Sequence, residues 1–120
     1  MRYSIEMREG YLRGELLERE TPQETREFGE ALQAAMVEKG IGRVLVVVRA
    51  SAPIFRVEEY RLSDFFRHMA GIPGAKVALV SDSRELSAAH EYVQLIATQR
   101  GMALRAFGAE KPALDWLLGP

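Results

Sequence analysis

The side chains best suited to chemistry in this sequence are arginines and serines gathered near the ends of two apolar runs. Arg49 and Ser51 follow the first run, and Ser81, Asp82 and Ser83 follow the second. Arg56 and Arg61 come shortly after the first pair. Guanidinium groups near serine hydroxyls and helix N-termini can hold a phosphate or a carboxylate. The same residues have plain structural uses. Ser81–Ser83 can cap a helix, and the arginines can be solvated or pair with Glu58 and Glu59. Phe55, Tyr60 and Phe66 add aromatic surface that belongs either to the core or to a cleft for an amphipathic lipid. The candidate ligand- or partner-binding residues are therefore Arg49, Ser51, Phe55, Arg56, Tyr60, Arg61, Ser81 and Asp82.

Catalytic and metal chemistry find no footing. The chain holds no cysteine, which removes disulfides, thiol nucleophiles and cysteine-based metal sites. Its two histidines, His68 and His90, lack any i, i+4 or HExxH partner. His68 reads as lying near a helix C-terminus, and His90 on an exposed helix face or its edge. GxSxG, GxGxxG and the P-loop pattern are absent, and Gly40-Ile41-Gly42 precedes a strand instead of opening a helix. The central strand ends in Arg49 where a receiver-type phosphoacceptor needs an aspartate. The expectation is a non-enzymatic protein with no cofactor and no metal.

The elements that would position these groups are readable. Val44-Leu45-Val46-Val47-Val48 is apolar at every position and mostly β-branched, the pattern of a strand buried on both faces by helices on each side. Val77-Ala78-Leu79-Val80 repeats it one helix length later, giving a right-handed βαβ unit. Ahead of these, Tyr3, Ile5 and Met7 alternate with polar residues, predicting a half-buried strand. A turn at Arg8-Glu9-Gly10 leads to a second strand over about Tyr11–Glu18, and the two make a hairpin. Gly14 marks a bulge or a close backbone approach.

Thr21-Pro22-Gln23-Glu24 carries a capping box with proline at the first helical position. Phe28, Leu32, Ala35 and Met36 form that helix's stripe, and Gly40 ends it as a left-handed cap. Phe55–Ala70 reads as the next helix, with Leu62, Phe65, Phe66 and Met69 inward. Ser63-Asp64 is an alternative start that would leave Phe55–Leu62 as a separate turn. Asp82-Ser83-Arg84-Glu85 offers a cap to a third helix with Ala89, Val93, Ile96 and Ala97 inward, ending at Gly101. Met102–Phe107 is a last strand. Pro112 then opens a short helix with Leu114, Leu117 and Leu118 inward and Trp116 over an edge. The order ββαβαβαβα predicts one α/β domain over residues 1–120, with a mostly parallel sheet, an N-terminal hairpin and four helices.

Composition agrees with that class. At 120 residues, 48% hydrophobic and 28% charged, the chain can bury one core and is not a disordered sequence. A net charge of -1 gives no general attraction to nucleic acid or anionic membranes. No run approaches the roughly 18 apolar residues that span a bilayer. The N-terminal residues show no apolar signal core, so a cytoplasmic location is expected.

The order of elements resembles the STAS fold of bacterial anti-sigma-factor antagonists, and more closely the small SpoIIAA-like proteins described as STAS-like or CRAL-TRIO-like. The likeness spans the chain. It is carried by Glu59-Tyr60-Arg61 and Asp64-Phe65-Phe66, by Ala97-Thr98-Gln99-Arg100-Gly101, by Phe107, and by Ala113-Leu114-Asp115-Trp116-Leu117. The resemblance implies a regulatory or protein-interaction module, binding a protein partner or a second copy of itself through the second helix and the loop before it. The antagonists are switched by phosphorylation of a serine in an Asp-Ser pair near the start of that helix. Here Ile54-Phe55-Arg56-Val57-Glu58 occupies the region, so the usual phosphorylation site is missing. The alternative expectation is a carrier for a small anion or lipid.

Overall fold

The chain runs β1 (Arg2–Arg8), β2 (Tyr11–Leu17), α1 (Pro22–Lys39), β3 (Arg43–Arg49), α2 (Leu62–Ala70), β4 (Lys76–Ser81), α3 (Arg84–Gln99), β5 (Ala103–Phe107) and α4 (Glu110–Leu118). This computed structural model describes residues 1–53 and 62–119. Phe55, Arg56, Tyr60 and Arg61, and the first half of the expected second helix, lie outside the described residues.

The strands form one sheet in the order β1-β2-β3-β4-β5, with β1 antiparallel to β2 and the others parallel. Consecutive order has a consequence for the helices. Each right-handed crossover advances the sheet in the same direction, so each connecting helix lands on the same face. Accordingly Phe28, Leu32 and Met36 of α1, Phe66 and Met69 of α2, and Leu86, Val93 and Ala97 of α3 share one core. Its floor includes the row Leu12, Val44, Val77 and Leu104, which stand side by side on four strands.

Among the described residues, the opposite face is served by α4 alone. Leu45 and Ala78 there are flanked by Arg13 and Arg105, and Val47 and Val80 by Glu15 and Phe107. The apolar strip is therefore about two strands wide, which one helix covers. Ala113 and Leu117 fill it, with Tyr11, Phe107, Leu114 and Trp116 at its margins. The continuous apolar pattern of β3 serves both cores in alternation: Val44, Val46 and Val48 on one face, Leu45 and Val47 on the other.

Local signals mostly act as their chemistry dictates. Thr21 Oγ1 accepts from the Glu24 amide at 3.2 Å, and Glu24 accepts from the Thr21 amide at 2.9 Å, closing the capping box. Gly40 is left-handed at φ 63°. Ser83, one residue after the expected Asp82, caps α3 by accepting from Leu86 N at 3.2 Å.

Three expectations need correction. The last helix starts at Glu110, so Pro112 sits within its first turn, where its missing amide has no cost. Leu118, expected inward, is 42% exposed because the helix buries Ala113 and Leu117 instead. Tyr3 and Met7 share a face with Ile5 but remain largely exposed, since α1 reaches only far enough to set Phe28 edge-on to Tyr3 at 5.6 Å.

Gly14 marks a close approach and no bulge. It keeps regular pairing with Ile5 and Val46. A Cβ there would stand 2.9 Å from the Phe28 ring. Gly14→Ala should therefore displace Phe28 and destabilise the domain by about 1–2 kcal/mol, read from the midpoint of urea unfolding.

Candidate functional site

The carboxyl edge of the parallel strands is where ligands usually settle on open α/β sheets. Here its own residues hydrogen-bond across part of it. Glu18 N donates to the Arg49 carbonyl at 3.2 Å, and Ala52 N to the Arg19 carbonyl at 2.9 Å. Ser51 Oγ accepts from Arg19 N at 3.0 Å and donates to the Arg49 carbonyl at 2.9 Å. Asp82 Oδ2 accepts from Ala50 N at 3.1 Å. Ala50 is left-handed at φ 49°, a conformation costly for a residue with a Cβ. Ala50→Gly should raise stability by roughly 0.5–1 kcal/mol, net of glycine's extra entropy, as a higher calorimetric midpoint.

Arg49, Ser81 and Asp82 do share a concavity of about 170 Å³ with Gly108 and Glu110. Its charges answer one another. Glu110 accepts from Arg49 at 3.5 Å and from Arg13 at 3.0 Å, and Arg13 also holds Glu15 at 2.9 Å. Ser81 is buried and Asp82 serves the Ala50 turn. Among the described residues, Arg13 and Arg49 of this rim tie β2 and β3 to α4 through Glu110, and Ser51 and Asp82 hold the backbone around Ala50. Phe55, Arg56, Tyr60 and Arg61 lie outside the described residues.

A second space lies between the sheet and the three crossover helices. It is a cavity of about 110 Å³, walled by Leu16, Val46, Val48, Val77, Leu79 and Leu104 from the strands and by Phe28, Leu32, Phe65, Phe66, Met69 and Val93 from the helices. Three polar residues enter this apolar wall: Arg19, Thr25 and His90. They are 5%, 9% and 4% exposed. Thr25 Oγ1 and His90 Nδ1 are buried with no hydrogen-bond partner among the described residues. Such orphaned atoms are uncommon in native interiors, where a lone buried polar group costs about 1–3 kcal/mol. The Arg19 guanidinium donates to the Ala52 carbonyl, which places the cavity's polar end beneath the Ala50–Ala52 loop. Burial pushes the His90 imidazole down to about 4. Arg19's charge pushes the same way, and Asp82 opposes it.

His90 is thus a correction: it lies in the core, not on an exposed face. Thr25 precedes Phe28 by one helical turn, and His90 sits between Leu86 and Val93 at helical spacing, so both were on visible stripes. Arg19 gave no local signal, because its burial comes from the loop folding over it. His68 is exposed near the end of α2.

Among the described residues no cluster of three or more His, Asp or Glu could hold a metal ion. No helix there is long and apolar enough to cross a membrane. In comparisons with protein-family models, curated proteins and solved structures, nothing matches this chain.

Proposed function

We propose that this chain is a non-catalytic, STAS-like binding domain that accepts a small molecule between its sheet and its crossover helices. The observation that carries the reading is the apolar cavity of about 110 Å³ lined by Thr25 and His90, whose Oγ1 and Nδ1 are buried without a hydrogen-bond partner among the described residues. An empty apolar space is tolerable, and a polar site satisfied by protein is tolerable; buried polar atoms without a protein partner call for an occupant that can pair with them. A dry cavity of about 150 Å³ holds a benzene molecule, so the occupant here has roughly four to six non-hydrogen atoms. The leading hairpin and the βα order of the chain support the STAS-like part of the reading.

Native mass spectrometry of gently purified protein tests it. A retained small mass released on denaturation is the expected result. A bare protein whose thermal midpoint no small apolar compound raises would refute it.

The alternative is an interaction module that pairs with a partner protein or with itself. It is favoured by β1, an edge strand whose residues are exposed except for Ile5, which is half-buried. Such an edge can add a further strand. The same mass spectrum reads it as subunit number.

A further inference from the structure

We propose that two copies of this chain join edge to edge through β1, antiparallel and centred on Ser4, about a twofold axis normal to the sheet. This is independent of the cavity reading; it rests on the interaction-module alternative and adds the partner and the register. Among the described residues β1 pairs with β2 alone, so its outer edge carries unpaired backbone groups. Such an axis sets residues of the same face opposite each other, which leaves few registers to compare. Centred on Ser4, Arg2 of each copy stands opposite Glu6 of the other, and Tyr3 opposite Ile5. Every opposed pair is then opposite in charge, apolar, or Ser4 with itself. Centred on Ile5, Arg2 meets Arg8 at both ends; centred on Glu6, the two Glu6 carboxylates meet. Like charges directly opposite disfavour both. Centring on Tyr3 opposes only Arg2 to Ser4 around the axis, a shorter ladder. Both faces of the joined sheet also match in the Ser4 register. On the α1 face, the exposed Tyr3 and the half-buried Ile5 form an apolar row with their counterparts, and the exposed Met7 lies diagonal to the other Tyr3. On the α4 face, Arg13 of β2 is the register partner of Glu6, so the row across the junction reads Arg13, Glu6, Arg2. Within one chain Arg2 meets Glu18 at 3.1 Å and Glu6 meets Arg8 at 2.7 Å, exposed pairs that hold these side chains only weakly.

The chain has no cysteine, so Ser4→Cys places a single thiol on each copy, at an exposed position. In this register the two thiols face each other across the axis at the spacing of a cross-strand pair, within reach of a disulfide. Sedimentation velocity of the unmodified chain should show a dimer. Mild oxidation should link Ser4→Cys into a covalent dimer and leave Ile5→Cys largely unlinked. Glu6→Arg, which sets arginine against Arg2 twice per dimer, should weaken association about tenfold. Adding Arg2→Glu to it should restore association, which damage to the fold of one chain would not do. Linkage through Ile5→Cys in place of Ser4→Cys overturns the register. A dimer that neither cysteine links and that Glu6→Arg leaves intact overturns β1 as the interface. A monomer at every concentration overturns self-pairing and leaves the small-molecule reading standing.

Discussion

Lowering the pH from 6.5 to 4 should cost the folded domain up to about 3 kcal/mol through His90 alone. In the fold this imidazole is held down to about 4, first by burial and then by the charge of Arg19, with Asp82 only partly offsetting them. In the unfolded chain it titrates near 6.5. Between these values the unfolded chain binds the proton and the folded chain does not, so stability rises with pH across the window. The contribution is fully present above 6.5 and fully lost below about 4. Glu24 is a separate case. Its carboxyl is lowered to about 2, chiefly by the Glu20 amide, so its contribution fades only below about 4.5. Urea midpoints between pH 7 and 4 check this. The slope should flatten in His90→Leu, while Glu24→Gln should leave the slope between pH 6.5 and 5 in place. A wild-type profile already flat in that upper range would remove His90 from the account.

Leu45→Ala should cost about 3–4 kcal/mol, and its damage should be local to α4. Leu45 is fully buried in the smaller of the two cores, whose buried members are Leu45, Val47, Ala78, Val80, Ala113 and Leu117. That core has little material to collapse into a new cavity. Part of the helix's remaining anchorage is polar. Lys76 Nζ donates to the Trp116 carbonyl at 2.5 Å and sits 4.3 Å over the indole, and Arg13 holds Glu110. Hydrogen exchange should accelerate first in residues 110–118. Leu86→Ala, in the larger core, should lower global stability without that bias. Uniform loss of protection in both variants would mean that the two cores unfold as one unit.

The parts of this fold that could be read from sequence are those whose causes are local. β3 and β4 announce themselves as unbroken apolar runs, α1 through the Thr21–Glu24 box and Gly40, and α3 through its spaced apolar residues. The site was legible only in its neighbourhood. Arg49, Ser51 and Asp82 were expected near a ligand, and in the structure they contact Glu110, Arg19 and Ala50. Those partners lie 61, 32 and 32 residues away, so no window of sequence displays them. His90 was misplaced because a polar residue on a helix is ordinarily solvated, yet the spacing to Leu86 and Val93 already set it inward. Leu118 erred in the opposite sense: with Ala113 and Leu117 filling a strip two strands wide, no apolar surface is left for it to cover.

The two margins of the sheet are not equivalent, and they differ in their readiness to take a further strand. On β5 the Ala106 amide donates at 2.8 Å to Oε1 of Gln94, a side chain from α3 that occupies a hydrogen-bonding site another strand would need. β1 has no such cover among the described contacts and offers a seven-residue ladder. Two molecules joining β1 to β1 about a twofold axis would each use their open margin once. The ten-stranded sheet so formed would end in guarded β5 strands on both sides, so growth stops at the pair. Gln94→Ala would free the Ala106 amide and leave the β5 margin, like β1, with an open hydrogen-bonding site.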